Sequence, residues 1–360
     1  MYYCGIDAHV RYLRLAVVNK HGSVVLESTI QNQDRGQLLE QLAAFRPLAV
    51  VVETCPSWPW LSEAVRGEPG IEFHLAHAKH LRMIAHNAQK TDAVDARLLA
   101  RMLLAGLIPE AYPRPESQRE RLRLIRHYAM LVRQRTALVN RLHAQLHERG
   151  LFLPREKLMR REGRRWLLEE AWAALQPEQQ RIAVMHLELI DVLHGQINQL
   201  RKLIVEAAKQ DAAARLLKTV PGIGPYWGLV LSNELQPIHR FVRAGKLVSY
   251  AGLAPTTSSS GGRTSHGPVP KGANRWVRGA LVSAVATHAK RAPSSPITKS
   301  YDTLKQRLGW RKARVAAARK LARVVYQMLR TGEAWREHTE PARAELPHSH
   351  VAQCQATYVN

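Results

Sequence analysis

The run Leu48-Ala49-Val50-Val51-Val52-Glu53 is apolar for five residues and then ends on an acid. A short β-branched apolar run of this kind reads as a strand buried on both faces, the signature of a parallel sheet. Upstream, Tyr2–Ile6, Tyr12–Val18 and Val24–Ile30 read as three more strands, the last two joined by the Lys20-His21-Gly22 turn. The first of these leads straight into Asp7. Gln37–Phe45 and Trp58–Arg66 carry helical spacing, Ile71–Leu75 reads as a strand, and Ala76–Gly106 is rich in helix formers. Strands followed by alternating helix and strand predict an α/β layer domain. Pro109, Pro113 and Pro115 mark its boundary, near residue 110.

The acids of this region sit where chemistry is expected. Asp7 and Glu53 end two strands that a parallel sheet would set side by side, and Asp92 and Asp95 share one face of a helix. Four converging carboxylates repel one another unless cations lie between them. Oxygen-only donors select Mg²⁺ or Mn²⁺, and a pair of such ions stabilises the attacking and leaving oxygens of phosphodiester chemistry. Each acid also has a plainer role open to it. Asp7 would cap a turn, and Asp92 and Asp95 would serve as helix N-terminal charges or as partners of Arg97.

Beyond the boundary the pattern turns helical. Ser117–Gly150 repeats apolar residues from Leu122 to His143 at three-to-four-residue spacing, with an Arg-rich polar face. Gln179–Lys209 does the same through Ile182, Met185, Leu189, Val192, Ile197, Leu200 and Ile204. The two predict an antiparallel helical hairpin, open to a dimerising coiled coil or to a plain bundle. Val220-Pro221-Gly222-Ile223-Gly224 then separates two helices in the layout of a helix-hairpin-helix element. Its glycines let backbone approach a phosphate, and the next helix N-terminus supplies free N–H donors. A loop holding Ser258-Ser259-Ser260-Gly261-Gly262 and Arg263 offers hydroxyls beside a guanidinium. A basic helix, Arg311–Leu329, and a polar tail close the chain.

Charge names the class of partner. The 360 residues hold 53 Lys+Arg against 29 Asp+Glu, a net charge of +24. Phe241–Arg330 alone has 18 basic residues and one acid, Asp302. Such asymmetry points to nucleic acid. The 46% hydrophobic content excludes general disorder, and no uncharged apolar run is long enough for a membrane helix. Met1–Asp7 lacks the layout of a signal peptide, and the three cysteines, Cys4, Cys55 and Cys354, lie far apart. The expected compartment is a reducing cytoplasm.

The motifs together resemble a known family, the DEDD-type transposases of insertion sequence family 110, or bridge-RNA-guided recombinases. The matching residues are Gly5-Ile6-Asp7, Val51-Val52-Glu53-Thr54, Lys90-Thr91-Asp92-Ala93-Val94-Asp95-Ala96-Arg97 and Pro221-Gly222-Ile223-Gly224. Tyr250-Ala251-Gly252-Leu253-Ala254-Pro255, Ser259-Ser260-Gly261-Gly262 and Lys271-Gly272-Ala273-Asn274-Arg275 complete the set. Val269-Pro270 departs from the β-branched residue and Ser or Thr usual before the lysine. The resemblance implies an α/β, ribonuclease-H-like (RuvC-like) domain over 1–112 and a helical coiled-coil region over 113–212. A mostly helical serine transposase domain over 213–332 would follow, and then a polar tail over 333–360.

It further implies that Asp7, Glu53, Asp92 and Asp95 bind Mg²⁺. A serine, here Ser260 or else Ser259, would attack DNA to form a phosphoserine bond. A structured noncoding RNA would pair with donor and target DNA, and the protein would act as a homodimer or tetramer. Gly222, Gly224, Arg263, Lys271, Asn274, Arg275 and Arg278 are the candidate nucleic-acid contacts. Two rival readings stand beside it: a metal-dependent, structure-specific endonuclease with water as nucleophile, and a non-enzymatic nucleic-acid scaffold.

Overall fold

The computed structural model describes residues 1–78, 80–81, 92–254, 257–260, 263–267 and 272–337. Lys90, Thr91, Pro255, Gly261, Gly262, Val269, Pro270, Lys271 and the tail from 338 onward lie outside the described residues. The chain divides into two compact units, Met1–Pro115 and Glu116–Asn360.

The first unit is built on a mixed sheet of β1 (Tyr2–Ala8), β2 (Tyr12–Val18), β3 (Val24–Gln31), β4 (Leu48–Glu53) and β5 (Ile71–Ala76) in the order β3-β2-β1-β4-β5. β1, β2 and β3 form an antiparallel meander, whereas β4 and β5 run parallel to β1. Helices α1 (Arg35–Ala43) and α2 (Trp58–Val65) cover one face, where Leu38, Leu42, Leu61 and Val65 pack on Ile6, Leu15, Val50 and Val52. Helix α3 (Asp92–Leu104) covers the other, with Leu99, Met102 and Leu103 packed on Ala49 and Val51. Burial on both faces is why β4 reads as an unbroken apolar run. A mixed sheet with helices on both faces is consistent with the ribonuclease-H-like expectation.

One glycine permits this packing. A Cβ at Gly5 would fall 2.1 Å from the carbonyl oxygen of Ala96 and 2.7 Å from the nitrogen of Ala100, so the α3 backbone lies directly on β1. Backbone atoms cannot move aside as a side chain can. Gly5→Ala is therefore expected to cost on the order of 3 kcal/mol, at the upper end of overpacking penalties. Chemical denaturation of the wild type and the variant measures it, and an unchanged midpoint would refute the close approach.

Among its described residues the second unit is helical apart from one pair of β-strands: α4 (Glu116–Glu148), α5 (Arg155–Leu158), α6 (Arg161–Glu169), α7 (Pro177–Gln210), α8 (Ala212–Leu217), α9 (Pro225–Leu235), α10 (Ala244–Tyr250), α11 (Arg275–Arg291) and α12 (Pro296–Thr331). α4 and α7 pack antiparallel: Leu122 and Ile125 share a core with Ile204 and Ala208, and Val139 to Leu146 share one with Ala183 and Ile190. The sequence reading merged two stripes of α7. The buried stripe is Ala183, Ile190, Ile197 and Ile204, at intervals of seven residues. Ile182, Met185, Leu189 and Val192 form a second stripe and are exposed.

The C-terminal basic helix is longer than its composition suggested and is broken. α12 begins at Pro296, capped by Ser295, and Gly309 interrupts it with non-helical backbone (φ 75°, ψ 160°). The serine segment also differs from the loop reading. Thr257–Ser260 (β6) and Arg263–His266 (β7) pair antiparallel, with Ser260 opposite Arg263. A Gly-Gly dipeptide between β-tolerant residues is a hairpin signal, and the loop reading passed over it.

Buried His288 on α11 seats the glycine-rich turn between α8 and α9. Its Nδ1 donates to the Pro221 carbonyl at 3.0 Å, and its Nε2 accepts from Ser295 Oγ at 2.9 Å. Gly222 has φ +98°, and a Cβ there would meet the Ala284 carbonyl oxygen at 2.4 Å. Burial holds the His288 imidazole below its ordinary pKa, partly opposed by the Pro221 carbonyl. The unfolded chain then binds this proton more readily than the folded one. Stability from this site is complete above the unfolded histidine value, near 6.5, and is lost as pH falls through it toward the folded value. Melting temperature should therefore drop between about pH 7 and pH 5 more in the wild type than in His288→Gln. Parallel curves would contradict the assignment.

Candidate active site

Two carboxylates meet at one end of the first unit's sheet. β1 and β4 are parallel neighbours with Ile6 opposite Val52, so Asp7 and Glu53 emerge side by side. Strand alternation puts both on the face carrying Tyr3, Ala49 and Val51, the face that α3 covers. Cys55 confirms their proximity. Burial is the main cause of its raised thiol pKa, and the carboxylates of Glu53 and Asp7 push the same way.

The direction of α3 brings the other acids to this end. Leu104 lies by Gly22, where a Cβ would sit 3.7 Å from its Cδ2. Gly22 follows the strand residue Val18, which pairs with Tyr3 near the start of β1. Ala96 crosses β1 at Gly5. The first turn of α3, with Asp92 and Asp95, therefore extends toward the end of β1 that bears Asp7. The Asp92 side chain is outside the described set, and among the described residues no three donor side chains close a metal cage.

The surrounding contacts hold this end in shape. Arg97 is committed to Glu27 on β3, with Nη2 donating to Oε2 at 2.7 Å, so it does not serve as the partner sought for Asp95. That guanidinium, chiefly through its hydrogen bond, holds the Glu27 carboxyl below the usual range. Asn32 ties the β1–β2 turn across to the region after Glu53, donating to His9 O at 2.8 Å, Val10 O at 3.0 Å and Ser57 Oγ at 3.3 Å. The sequence reading missed His9, whose Nε2 lies 3.0 Å from Asp7 Oδ2 and whose ring stacks on Tyr12. The available signal was its position two residues beyond Asp7.

In the second unit the segment bearing the serines is pinned at both feet. Asn274 N donates to Tyr250 O at 2.7 Å. The Asn274 amide donates to Glu234 Oε2 at 2.9 Å and to the Tyr250 hydroxyl at 2.8 Å, and its Oδ1 caps α11 by accepting from Trp276 N and Val277 N. Its donors and acceptor are thus engaged within the fold. Glu234, 1% exposed, is also 3.3 Å from Arg126 Nη2. Composition alone did not single it out, although it is the one acid of α9, buried beside Ser232 and Asn233. Arg275 is exposed at the start of α11, Arg278 is half-buried, and Gly224 caps α9 with open space where a Cβ would stand. Ser259 and Ser260 lie on β6 and Arg263 on β7, with backbone register as given above.

Two family models match stretches of the chain. A profile of DEDD transposases of the IS110 type matches residues 4–149, and one described as the transposase IS116/IS110/IS902 family matches residues 214–302. The chain belongs to the IS110 family of transposases. It is 24% identical over 335 residues to the transposase for insertion sequence element IS1111A of Coxiella burnetii, covering 92% of this chain and 90% of that one. It is also 24% identical to the transposase for IS1328 of Yersinia enterocolitica, over 80% of this chain and 84% of the relative. A protein of insertion element IS110 from Streptomyces coelicolor is 32% identical over 162 residues, 44% of this chain and 38% of that one. Membership implies that this transposase cleaves and rejoins DNA. No helix among its described residues is long and apolar enough to cross a membrane.

Proposed function

We propose that the chain mobilises an insertion sequence by site-specific recombination, using a serine nucleophile and an acidic, divalent-cation-dependent centre. The placement of Asp7 and Glu53 on adjacent parallel strand ends, with the first turn of α3 directed to the same end, carries this reading. An all-carboxylate donor set fits Mg²⁺ or Mn²⁺. Asp7, Glu53, Asp92 and Asp95 would hold the cations, which when bound neutralise charge on a phosphodiester. His9 orients Asp7 through their hydrogen bond.

In the reaction, the Ser260 Oγ gives up its proton and bonds to phosphorus, the bond to the leaving deoxyribose oxygen breaks, and that oxygen takes up a proton. The phosphoserine ester conserves the bond, and attack by a new DNA hydroxyl releases the serine. Ser260 is favoured over Ser259 because it adjoins the two glycines at the hairpin turn. The Glu234–Asn274–Tyr250 network holds the hairpin's feet together, and Gly222, Gly224, Arg263, Lys271, Arg275 and Arg278 surround the nucleic acid. The helix-hairpin-helix reading is supported by the helix–turn–helix of α8, Gly222 to Gly224, and α9. Exposed arginines of α4, such as Arg133 and Arg141, suit a structured noncoding RNA, and the exposed stripe of α7 suits pairing with a second copy through a coiled coil. Proteinase-sensitive, covalent protein–DNA adducts in Mg²⁺ are the test. Cleavage without adducts would transfer the case to a water-using nuclease.

A further inference from the structure

The second unit holds a cleft of about 580 Å³ between α10, with the residues just before it, and the C-terminal half of α12. Arg243, Lys246, Arg319, Arg323 and Arg330 line it, and no acid does. Arg243, Lys246, Arg319 and Arg330 are exposed, and Arg323 is half-buried. Residues 319, 323 and 330 recur along one face of α12, a row about 16 Å long at 1.5 Å per residue. The opposite face of that helix is locked into the core by Leu321, Val324, Val325 and Met328, so the row is rigid.

We infer that this cleft is a binding site for the sugar–phosphate backbone of DNA, and that it holds the strand without reading its sequence. Five like charges around one cavity repel, and a polyanion relieves the repulsion. The Arg323 guanidinium shows the strain: burial holds its pKa below the ordinary arginine value, and neighbouring Arg319 lowers it further. The rest of the lining favours backbone over bases. Its one aromatic residue, Tyr326, has its hydroxyl committed to the Phe241 and Val242 carbonyls at 3.1 and 3.3 Å. Arginine forks in a row suit successive phosphates, each carrying one charge. The choice of DNA as the polyanion rests on the transposase function proposed above; the cationic geometry does not.

The test measures affinity against salt concentration for the full chain on two duplexes, one with the element's end sequence and one scrambled. Lys246→Gln/Arg319→Gln/Arg330→Gln should flatten the slope of log affinity against log salt by about 2.7, or about 0.9 per lost phosphate contact, equally on both duplexes. The exposed triple Arg307→Gln/Arg311→Gln/Lys312→Gln removes the same charge from α12 outside the cleft and should leave the slope near that of the wild type. Matching melting curves establish that both variants are folded. An unchanged slope in the cleft variant, an equal drop in the control, a drop confined to the end sequence, or a drop seen only with RNA would each overturn the assignment. A wild type that binds neither duplex would count instead against the transposase reading.

Discussion

Asp7→Asn is expected to remove DNA strand cleavage, by at least about a thousandfold, while the protein stays folded. A factor of 10³ corresponds to about 4 kcal/mol of transition-state stabilisation, within the several that bound divalent ions contribute in phosphoryl chemistry. Asparagine keeps the shape of the side chain and an oxygen to face His9, 3.0 Å from the carboxylate in the wild type, so packing on β1 should change little. What is lost is one negative charge at the strand end shared with Glu53. Cleavage rate as a function of Mg²⁺ concentration, with melting temperature as the fold control, is the measurement. Full cleavage in the variant, or in excess chelator, would remove the acidic centre from the mechanism.

Ser260→Ala is the second large effect. Covalent adducts and recombination should vanish, while affinity for DNA stays within about twofold, since one hydroxyl contributes little to binding that phosphate contacts dominate. Ser258→Ala should retain activity because Ser258 lies two residues further from the hairpin turn, opposite Ser265. Denaturing gels of labelled DNA resolve the adduct directly. Adducts that persist in Ser260→Ala and disappear in Ser259→Ala would move the nucleophile by one residue. Persistence after all three serines are replaced would end the serine mechanism.

Much of the first unit was legible because its signals are local. A strand buried on both faces must be apolar throughout, so Leu48–Val52 announced both its conformation and its place beside another parallel strand. Asp7 and Glu53 then stood out as acids at the ends of such strands. The long helices declared themselves through periodicity alone, with ends observed within a few residues of those expected. The serine hairpin was missed for the opposite reason: Thr257–Ser260 and Arg263–His266 show no apolar alternation, so only the Gly-Gly turn carried the signal.

The sequence by itself determined the strands of the first unit, the two long helices, the basic character of the last third and the acids that end β1 and β4. These depend on composition and on spacing along one stretch of chain. Only the tertiary structure decided which apolar stripe of α7 is covered, that Arg97 belongs to Glu27, that Gly5 is demanded by the backbone of α3, and that Arg243 and Lys246 face Arg319, Arg323 and Arg330 across one cleft. Each is a contact between residues 70 or more apart, or a choice between two faces of similar polarity. Local pattern is blind to both, because which partner arrives at a face is set by packing of the whole domain rather than by the residues that form the face.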